Sequence, residues 1–377
     1  MAQVPSTATT IPLVDLRRQY ESIKDEIDTA MASVITQSAF VGGAFVRTFE
    51  EQFARYCGVE HCIGVANGTD ALFIALRALG VGPGDEVITV ANSFVATSEA
   101  IRMTGAQVVF VDIEPLTYCI DVEQIQAKIT SRTKVLVPVH LYGQPADVDP
   151  ILALARKYGL RVVGDAAQAH GALYKGRPLS QLADITCFSF YPSKNLGAYG
   201  DAGALVTNNP SWGDQARMLA NHGRTSKYDH ASDGMNSRLD GLQAAILSAK
   251  LFHLDDWNAC RRANADRYNE ALQGAGVATP AELDAVTSVY HLYVIRVTRG
   301  SRDTLQQHLR EHGISTGIHY PIALPFLNAY RDLGHQPSDF PESLKASSEI
   351  LSLPMYPELS REQIHYIADT IANRHLR

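Results

Sequence analysis

The sequence contains little cysteine, no long apolar run and no cluster of basic residues. Its five cysteines are an odd number without a Cys-x-x-Cys pair, which disfavours a disulfide framework and a structural zinc site. No apolar run approaches the roughly twenty residues that a membrane-spanning helix requires. Residues 1–10 are polar and uncharged, unlike the basic and apolar parts of a secretory signal. We therefore expect a protein of the reducing cytoplasm, without a membrane segment.

Acidic side chains outnumber basic ones, with 40 Asp and Glu against 33 Lys and Arg and a net charge of −7. Lys and Arg never occur more than two in a row, so nucleic-acid binding is not expected. His61, His140, His170 and His222 are scattered without the spacing of metal ligands, which is more typical of packed or solvated histidines. Neither a nucleic acid nor a metal ion is therefore an expected ligand.

Apolar periodicity alternates between strands and helices over residues 19–208, which is typical of a mostly parallel sheet covered by helices. The chain can hold two domains, because 377 residues with 46% hydrophobic content can bury a large core. We predict a large α/β domain at 12–245 and a smaller C-terminal α+β domain at 246–377, bridged by a long helix at 239–273. Predicted strands occupy residues 86–90, 108–112, 134–139, 161–165, 185–190, 204–207 and 289–297. Predicted helices occupy residues 122–129, 151–158, 302–312 and 361–372.

Lys194 lies between an apolar strand, residues 185–190, and a turn that contains Gly197. An amine held at the end of a buried strand can lose its hydration, which disfavours the ammonium form and leaves a nucleophile able to form a Schiff base. Pyridoxal phosphate is the cofactor that such a lysine would bind. A solvated surface lysine is the alternative.

Two groups upstream of Lys194 suit the same cofactor. Asp165 ends the run 161–165, where open α/β sheets place ligand-binding groups. A carboxylate there would keep the pyridine nitrogen protonated, and Gln168 could bind the ring hydroxyl. Taken alone, Asp165 suits a turn or the N-cap of a helix as well as it suits a contact with the cofactor.

A phosphate site is predicted where residues 62–66 lead through a turn into the helical pattern 71–79. The N–H groups of Gly68 and Thr69 at such a helix start favour an anion, and Thr69 adds a hydroxyl. Ser189 offers a second hydroxyl for the same phosphate. Asn-Gly-Thr-Asp is also ordinary turn and N-cap chemistry, so this motif is weak by itself.

The ordered set of Gly68-Thr69 with residues 165–168 and 189–194 resembles the DegT/DnrJ/EryC1/StrS family of sugar aminotransferases. The resemblance covers nearly the whole chain and includes the blocks 236–245 and 317–321. It implies the architecture of pyridoxal phosphate enzymes called fold type I, with a mostly parallel, mixed seven-stranded sheet in a large cofactor-binding domain. It also implies a homodimer in which both subunits build each active site.

The resemblance implies a role for each matching residue around the cofactor. Lys194 would hold the cofactor covalently, Asp165 would bind the pyridine nitrogen and Gln168 the ring hydroxyl. The aromatic side chain of Phe94 would stack on the ring. The groups implied to bind the phosphate are Gly68, Thr69, Ser189 and, from the neighbouring subunit, Asn236.

Three further positions match residues that contact the substrate in the family. These are Arg238, His319 and Tyr320. An arginine suits a carboxylate or a diphosphate because its planar guanidinium can bind two oxygens at once. A surface salt bridge with Asp240 or another neighbour is the alternative for Arg238.

The chain departs from the family pattern in the segment Gly200-Asp201-Ala202-Gly203, where many relatives have glycine at position 202. Alanine would be costly there if the backbone needed positive φ, so we expect an ordinary conformation at Ala202. Ser93 stands where threonine is common. Neither change touches the chemistry, and the chain keeps Lys194, which dehydratase relatives replace by histidine.

The family implies a two-stage amino transfer that alternates between pyridoxal phosphate and pyridoxamine phosphate. The implied donor is L-glutamate, and the acceptor is a keto sugar linked to a nucleotide, in aminosugar biosynthesis for a polysaccharide such as O-antigen or for a secondary metabolite. The segments around Lys194 and His319 are most similar to members that act on 3-keto sugars such as dTDP-3-keto-6-deoxyhexoses. Enzymes for UDP-linked 3-keto uronic acids or for 4-keto sugars are the alternatives.

Two other classes of function stay open on the sequence. One is a fold type I enzyme of different chemistry, such as an amino-acid lyase or a desulfurase, because a cofactor site does not name the reaction. A desulfurase would need a reactive cysteine on a mobile loop, and no cysteine here has an evident activating context. The other is a non-catalytic sensor or scaffold that binds the cofactor without turnover.

Overall fold

The structure is a computed structural model that describes residues 10–284 and 286–375. Its helices are α1 Leu16–Ser22, α2 Lys24–Thr36, α3 Gly43–Cys57, α4 Gly68–Ala78, α5 Ala96–Met103, α6 Val122–Lys128, α7 Val148–Tyr158, α8 Pro210–Ala220, α9 Gly241–Leu251, α10 Leu254–Ala271, α11 Arg302–Glu311, α12 Pro341–Glu349 and α13 Arg361–Ala372. Its strands are β1 His61–Val65, β2 Glu86–Val90, β3 Gln107–Val111, β4 Thr133–Val137, β5 Arg161–Asp165, β6 Leu173–Tyr174, β7 Arg177–Pro178, β8 Ile185–Ser189, β9 Gly203–Thr207, β10 Val286–Thr287, β11 Tyr293–Arg296 and β12 Ile350–Leu353.

A seven-stranded sheet in the order β1-β9-β8-β5-β4-β2-β3 forms the centre of the molecule. Strand β9 is antiparallel to both of its neighbours, β1 and β8, while the other neighbouring pairs are parallel. All strands of this sheet except β9 therefore have their carboxyl ends at one edge. The prediction of a mostly parallel, mixed sheet with seven strands is confirmed.

Helices cover both faces of this sheet, as β9 illustrates. Leu205 packs in the same core as Leu72 of α4, whereas Ala204 and Val206 pack in the core that contains Phe53 of α3. Successive side chains of a strand point to opposite faces, so one strand serves two cores. Strands buried on both faces read as continuous apolar runs, which is why they are recognisable in the sequence.

The C-terminal part of the chain packs α10, α11 and α13 around the antiparallel pair of β11 and β12. The rings of Tyr268 and Tyr293 stack there with their centroids 4.6 Å apart. Leu305 of α11 and Ile364 of α13 are buried in the same core. Helices and an antiparallel strand pair agree with the predicted α+β class, and the domain boundary at residue 245 stays a prediction.

The single helix predicted at 239–273 is wrong, because the structure has two helices, α9 and α10, separated at Phe252 and His253. Asp255 and Asp256 lie in the first turn of α10, where acidic side chains favour a helix start. The strand predicted at 289–297 is shorter, at β11. The other predicted strands and helices overlap the observed ones. The elements that were not individually predicted are α1, α2, α3, α5, α8, α12, β6, β7, β10 and β12.

Two expectations concern parts of the chain away from the sheet. Residues 1–9, which make up nearly all of the segment tested for a secretory signal, lie outside the described residues. Within the described part of the chain, no helix combines the length and the apolar character needed to cross a membrane. Ala202 lies outside the region of positive φ, as expected from its side chain.

Candidate active site

The candidate active site lies at the carboxyl edge of the central sheet. β5 ends at Asp165, β8 ends at Ser189 and β1 leads through Asn67 into α4. Parallel strands place the residues that follow them at a common edge, which is where open α/β sheets bind ligands. We call the group of Gly68, Asp165, Ser189 and Lys194 the cofactor edge.

Lys194 lies in a compact turn after β8. Its N–H donates to the carbonyl of Tyr191 at 2.8 Å, and the N–H of Ala198 returns to the carbonyl of Phe190, also at 2.8 Å. Burial lowers the pKa of Lys194 to about 8, and the carboxylate of Asp165 opposes this shift. A larger share of the amine is therefore uncharged near neutral pH than for a surface lysine, as a nucleophile requires. The solvated surface lysine considered from the sequence is not what the structure shows.

Asp165 is buried, with 5% of its surface exposed, and its two oxygens have separate donors. The Thr97 hydroxyl of α5 donates to Oδ2 at 2.7 Å, and the Ala167 N–H donates to Oδ1 at 3.1 Å. Burial raises the pKa of Asp165, while the two hydrogen bonds and Lys194 lower it. No helix begins here, so Asp165 is not an N-cap. The contact of Oδ1 with the Ala167 N–H is an ordinary turn contact, whereas the contact of Oδ2 with Thr97 comes from another element and orients the carboxylate.

Gln168 has its side-chain amide fixed in one orientation. Its Oε1 accepts from the N–H of Tyr142 at 2.7 Å, so its Nε2 is the donor, which reaches the hydroxyl of Tyr320 at 3.2 Å. The Tyr142 hydroxyl donates in turn to the carbonyl of His319. This network connects the sheet edge to residues 319 and 320 and presents an amide donor to a ring oxygen.

A cradle of backbone groups lies at the start of α4. Asn67 caps the helix through Oδ1, which accepts from the N–H of Asp70 at 2.8 Å. The N–H groups of the first helical residues, Gly68 and Thr69, have no acceptor within the helix. A Cβ at Gly68 would lie 2.6 Å from Cβ of Ser189, and one at Gly203 would lie 2.4 Å from the carbonyl carbon of Asn67. Neither position has room for a side chain, so the glycines allow Ser189 and β9 to lie close to the start of α4. A helix start of this kind suits a phosphate.

Phe94 and Tyr320 form the aromatic part of the site. Phe94 has 53% of its surface exposed, and its ring centroid lies 5.8 Å from that of Tyr320. A large apolar ring exposed beside buried polar groups offers a stacking surface for a planar ligand. The structure therefore brings Phe94, Tyr320 and Gln168 together, as the resemblance implied.

A contact with β12 positions His319, and the charge of Lys194 affects its pKa. Its Nδ1 lies 2.8 Å from the hydroxyl of Ser352. Burial lowers the pKa of His319, and the positive charge of Lys194 adds to this effect. The imidazole is therefore a neutral hydrogen-bonding group at neutral pH, close enough to Lys194 to sense its charge.

Asn236 and Arg238 have exposed side chains. The hydroxyl of Ser237, between them, accepts from the N–H of Ala66 at 3.1 Å, which holds this segment beside the end of β1. Arg238 donates to the side chain of Asn221 at 3.3 Å and makes no salt bridge with Asp240 among the described residues. The salt-bridge alternative for Arg238 therefore receives no support.

Sequence reasoning missed Thr97 and Tyr142, which orient Asp165 and Gln168. Thr97 lies three positions after Phe94 at the start of α5, and a hydroxyl in the first turn of a helix beside a sheet edge is a signal that could have indicated it. Tyr142 orients Gln168 through its main-chain N–H and has φ of 60°. A main-chain contact of this kind leaves no side-chain pattern in the sequence.

These residues fit pyridoxal phosphate. The site combines a half-buried amine, a buried carboxylate, an exposed aromatic ring and a helix start whose first N–H groups have no acceptor within the helix. Each group matches one part of the cofactor: the aldehyde, the pyridine nitrogen, the ring face and the phosphate. The fit rests on the donor set and on the close approach of Ser189 and β9 to the start of α4 that Gly68 and Gly203 allow.

Comparison with known proteins agrees with this site. The model of the DegT/DnrJ/EryC1/StrS aminotransferase family matches residues 21–372. The chain belongs to this family. Solved members of the fold include forms with pyridoxal phosphate and with pyridoxamine phosphate, and this protein is a pyridoxal phosphate-dependent aminotransferase of fold type I.

Several characterised relatives align along nearly their full length. A pleiotropic regulatory protein of Geobacillus stearothermophilus is 46% identical, with 96% of this chain and 98% of the relative covered. The dTDP-3-amino-3,4,6-trideoxy-alpha-D-glucose transaminase of Streptomyces venezuelae is 42% identical, with 96% and 95% covered. The UDP-2-acetamido-2-deoxy-3-oxo-D-glucuronate aminotransferase of Pseudomonas aeruginosa is 43% identical, with 96% and 100% covered. The crystal structure of S. venezuelae DesV in complex with a ketimine intermediate superposes with a TM-score of 0.94 at 41% identity, covering 97% of this chain and 98% of DesV.

Proposed function

We propose that this aminotransferase moves an amino group from L-glutamate to a keto sugar linked to a nucleotide, at C-3 of a dTDP-3-keto-6-deoxyhexose, in aminosugar biosynthesis. The observation that carries the chemistry is the half-buried Lys194, whose pKa is lowered to about 8 beside the buried Asp165. The support for the sugar class is the full-length similarity to the S. venezuelae transaminase.

The side chains at the cofactor edge have separate tasks in this proposal. Pyridoxal phosphate supplies a covalent carrier for the amino group and an electron sink for the removal of a proton. Lys194 would hold the cofactor covalently, and its Nζ would serve as the group that takes up and returns a proton. Asp165 would pair with the pyridine nitrogen, and its two donors, Thr97 and Ala167, keep the carboxylate oriented.

The remaining cofactor contacts hold the ring and its phosphate in place. Gln168 would donate from Nε2 to the ring hydroxyl, and Phe94 would stack on the ring face. Gly68, Thr69 and Ser189 would bind the phosphate at the start of α4, where the helix dipole favours an anion. A fixed ring keeps the reacting carbon within reach of the Lys194 amine.

A homodimer with shared active sites completes the proposal. Asn236 and Arg238 are exposed beside the end of β1, on the outside of the chain that carries them. In a symmetric dimer this surface can face the cofactor edge of the other copy. Asn236 would then bind the phosphate of the partner site, and Arg238 would bind the diphosphate of the nucleotide through its planar guanidinium. His319 and Tyr320 would contact the sugar from within the same chain.

A UDP-linked 3-keto uronate is the second candidate acceptor, because the P. aeruginosa enzyme is 43% identical over its full length. An uronate carries a carboxylate that a 6-deoxyhexose lacks, so the two candidates differ in one negative charge. A 4-keto sugar is the third candidate and differs in the position that receives the nitrogen.

The test is an assay of the purified protein with L-glutamate against a panel of 3-keto and 4-keto sugars linked to dTDP or UDP. Product mass gives the nucleotide and the sugar, and the position of the amine follows from fragmentation. We expect the highest kcat/KM for a dTDP-3-keto-6-deoxyhexose. Amination of a UDP-linked uronate or of a 4-keto sugar at a higher kcat/KM would overturn the choice of substrate.

A desulfurase is disfavoured by the state of the cysteines. Burial raises the pKa of Cys57 and Cys119 to about 12, and it raises the pKa of Cys62 and Cys187 well above the usual value. A thiol with a raised pKa forms little thiolate and reacts poorly. Cys260 is exposed on α10 and lies outside the cofactor edge.

A sensor or scaffold without turnover makes a different prediction from a transaminase. Addition of L-glutamate alone should bleach the visible absorption of the bound cofactor, and a suitable keto sugar should restore it. A protein whose absorption does not respond to L-glutamate at millimolar concentration, while its cofactor remains bound, would support the sensor.

A further inference from the structure

Lys250 of α9 is a fully buried lysine to which the proposed chemistry gives no task. Its exposed fraction is 0%, and it is among the largest fully buried side chains of the described chain. Lysine is almost never fully buried unless its charge is paired or hydrogen bonded. The ammonium group donates to the main-chain carbonyl of Gly197 at 2.6 Å, three residues after Lys194.

The surroundings of the Lys250 amine are aromatic on one side. The nitrogen lies 4.8 Å from the ring centroid of Tyr199 and 6.0 Å from that of Trp257, where a cation is attracted to the ring face. Burial lowers the pKa of Lys250 to about 7, and the charge of Glu358 opposes this shift. Placing an amine here costs hydration free energy that an apolar side chain of similar volume would not.

The turn that ends at Gly197 is closely packed. A Cβ at Gly197 would lie 2.2 Å from the carbonyl oxygen of Pro192, so the turn between them is tightly closed. The buried donor on the carbonyl of Gly197 fixes the orientation of the peptide that follows this glycine.

A second side chain of α9 holds the same loop. Oε1 of Gln243 accepts from the N–H of Tyr199 at 2.9 Å. Gln243 and Lys250 are seven residues apart, which places them two turns apart on one face of the helix. One face of α9 therefore holds the loop of residues 194–199 at both Gly197 and Tyr199.

We propose that Lys250 is a positioning residue for Lys194: its amine fixes the Gly197 carbonyl and thereby the turn that presents the Lys194 amine to the cofactor. The inference rests on the proposed role of Lys194 as the residue that binds the cofactor covalently. A residue with this task acts on the rate at which the covalent link forms. A residue that only fills the core acts on stability alone.

The test compares Lys250→Met, which keeps the volume and removes the donor, with Lys250→Gln, which keeps a donor on a shorter side chain. The apoprotein of each variant is mixed with pyridoxal phosphate, quenched with borohydride at set times, and digested. The pyridoxyl label on the Lys194 peptide is then quantified by mass. We expect Lys250→Met to slow labelling about tenfold, as for the loss of one hydrogen bond from a charged donor. Lys250→Gln should recover part of the rate.

Lys134→Met is the matched control, because Lys134 also donates to a main-chain carbonyl, that of Gly80 at 2.9 Å, far from the loop in sequence. Its thermal stability can fall slightly, but its labelling rate should equal that of the wild type. Labelling of folded Lys250→Met at the wild-type rate would overturn the inference, and if that variant does not fold, the same outcome for Lys250→Leu, which also lacks the donor, would do so. Absence of label on Lys194 in the wild type would instead overturn the proposed function.

Discussion

The cofactor edge and the segment 222–238 are built in opposite ways, although both are assigned to one active site. Asp165 at the cofactor edge is buried and has two donors, and Gln168 beside it has its amide fixed on both sides. The segment 222–238 is mostly exposed, and Tyr228 within it has 84% of its surface exposed. Much of its hydrogen bonding is local, for example from Arg224 to the carbonyls of Ser226 and Lys227.

The difference indicates which half of the site a single chain can preorganise. Orientation of the ring requires buried, fully hydrogen-bonded groups, because a small displacement of the reacting carbon is costly. Recognition of a mobile, charged substrate uses exposed side chains, and in our proposal these meet their target only across the dimer. The variants below test this division, and they are arranged by the size of the expected effect.

Lys194→Ala should abolish turnover while leaving the fold intact. Loss of a positioned proton-transfer group reduces rates by about 10²–10⁴-fold, and loss of the covalent link adds to this. The measurement is kcat in the sugar assay together with circular dichroism and thermal melting. Activity within tenfold of the wild type would contradict the assignment of Lys194 and with it the cofactor edge.

Asp165→Asn should reduce kcat by about 10–100-fold, the range expected when one charge-assisted hydrogen bond is lost. The same substitution should stabilise the apoprotein at neutral pH. Burial raises the pKa of Asp165, so the folded state retains the proton to higher pH than the unfolded state. Stability from this group is present in acid and is lost as pH rises through the raised pKa.

The melting temperature measures this second effect. Apo Asp165→Asn should melt above the wild type at pH 8, and this advantage should disappear below the usual pKa range of aspartate. An asparagine variant that melts below the wild type at pH 8 would show that the ionised carboxylate stabilises the apoprotein.

The place of the cofactor-edge residues in the sheet could be predicted from the sequence because they follow individual strands, whereas their roles toward the cofactor stay a prediction. Asp165 and Ser189 end apolar runs, and Gly68 begins a helix, so each is marked by a change of local pattern. The predicted fold succeeds for the same reason, since strands buried on both faces are continuous apolar segments. The break between α9 and α10 was missed because the apolar spacing continues across it, although Asp255 and Asp256 mark the new start.

The contacts that orient these groups could not be predicted from local pattern. Thr97 reaches Asp165 over 68 positions, and Lys250 reaches Gly197 over 53 positions. Such pairs depend on the order of strands and helices in the sheet, which the spacing of apolar residues does not encode. Asn236 and Arg238 were identified only through the resemblance. Their proposed roles lie in the site of the other subunit, which no local pattern of one chain reveals.

Asn236→Ala tests whether the site is shared between subunits. One hydrogen bond to a charged phosphate is worth about 1.5–3 kcal/mol, so we expect cofactor affinity to fall about tenfold or more. The sharper measurement mixes this variant with Lys194→Ala and allows the subunits to exchange. A mixed dimer then contains one site with both wild-type residues, Lys194 from one chain and Asn236 from the other.

Activity should therefore reappear on mixing at limiting cofactor, where each parent alone is weak. Mixing that restores nothing, with exchange verified by mass, would place Asn236 in the site of its own chain or in none. Arg224→Ala is a suitable control for the loss of a polar side chain from this segment, because its contacts lie within residues 222–238, and this variant alone should keep the cofactor affinity of the wild type.

Thr97→Val should have the smallest effect, because it changes the surroundings of Asp165 and removes no group that contacts the cofactor in our proposal. Loss of the 2.7 Å hydrogen bond to Oδ2 removes a contribution that lowers the pKa of Asp165, so this pKa should rise further. We expect kcat to fall by about threefold to tenfold, as for one hydrogen bond, with the loss growing toward lower pH. Thr97→Ser keeps the hydroxyl and should restore the pH profile. A profile unchanged in Thr97→Val would show that the Ala167 N–H alone orients the carboxylate, and that the cofactor edge depends on its main chain more than on its side chains.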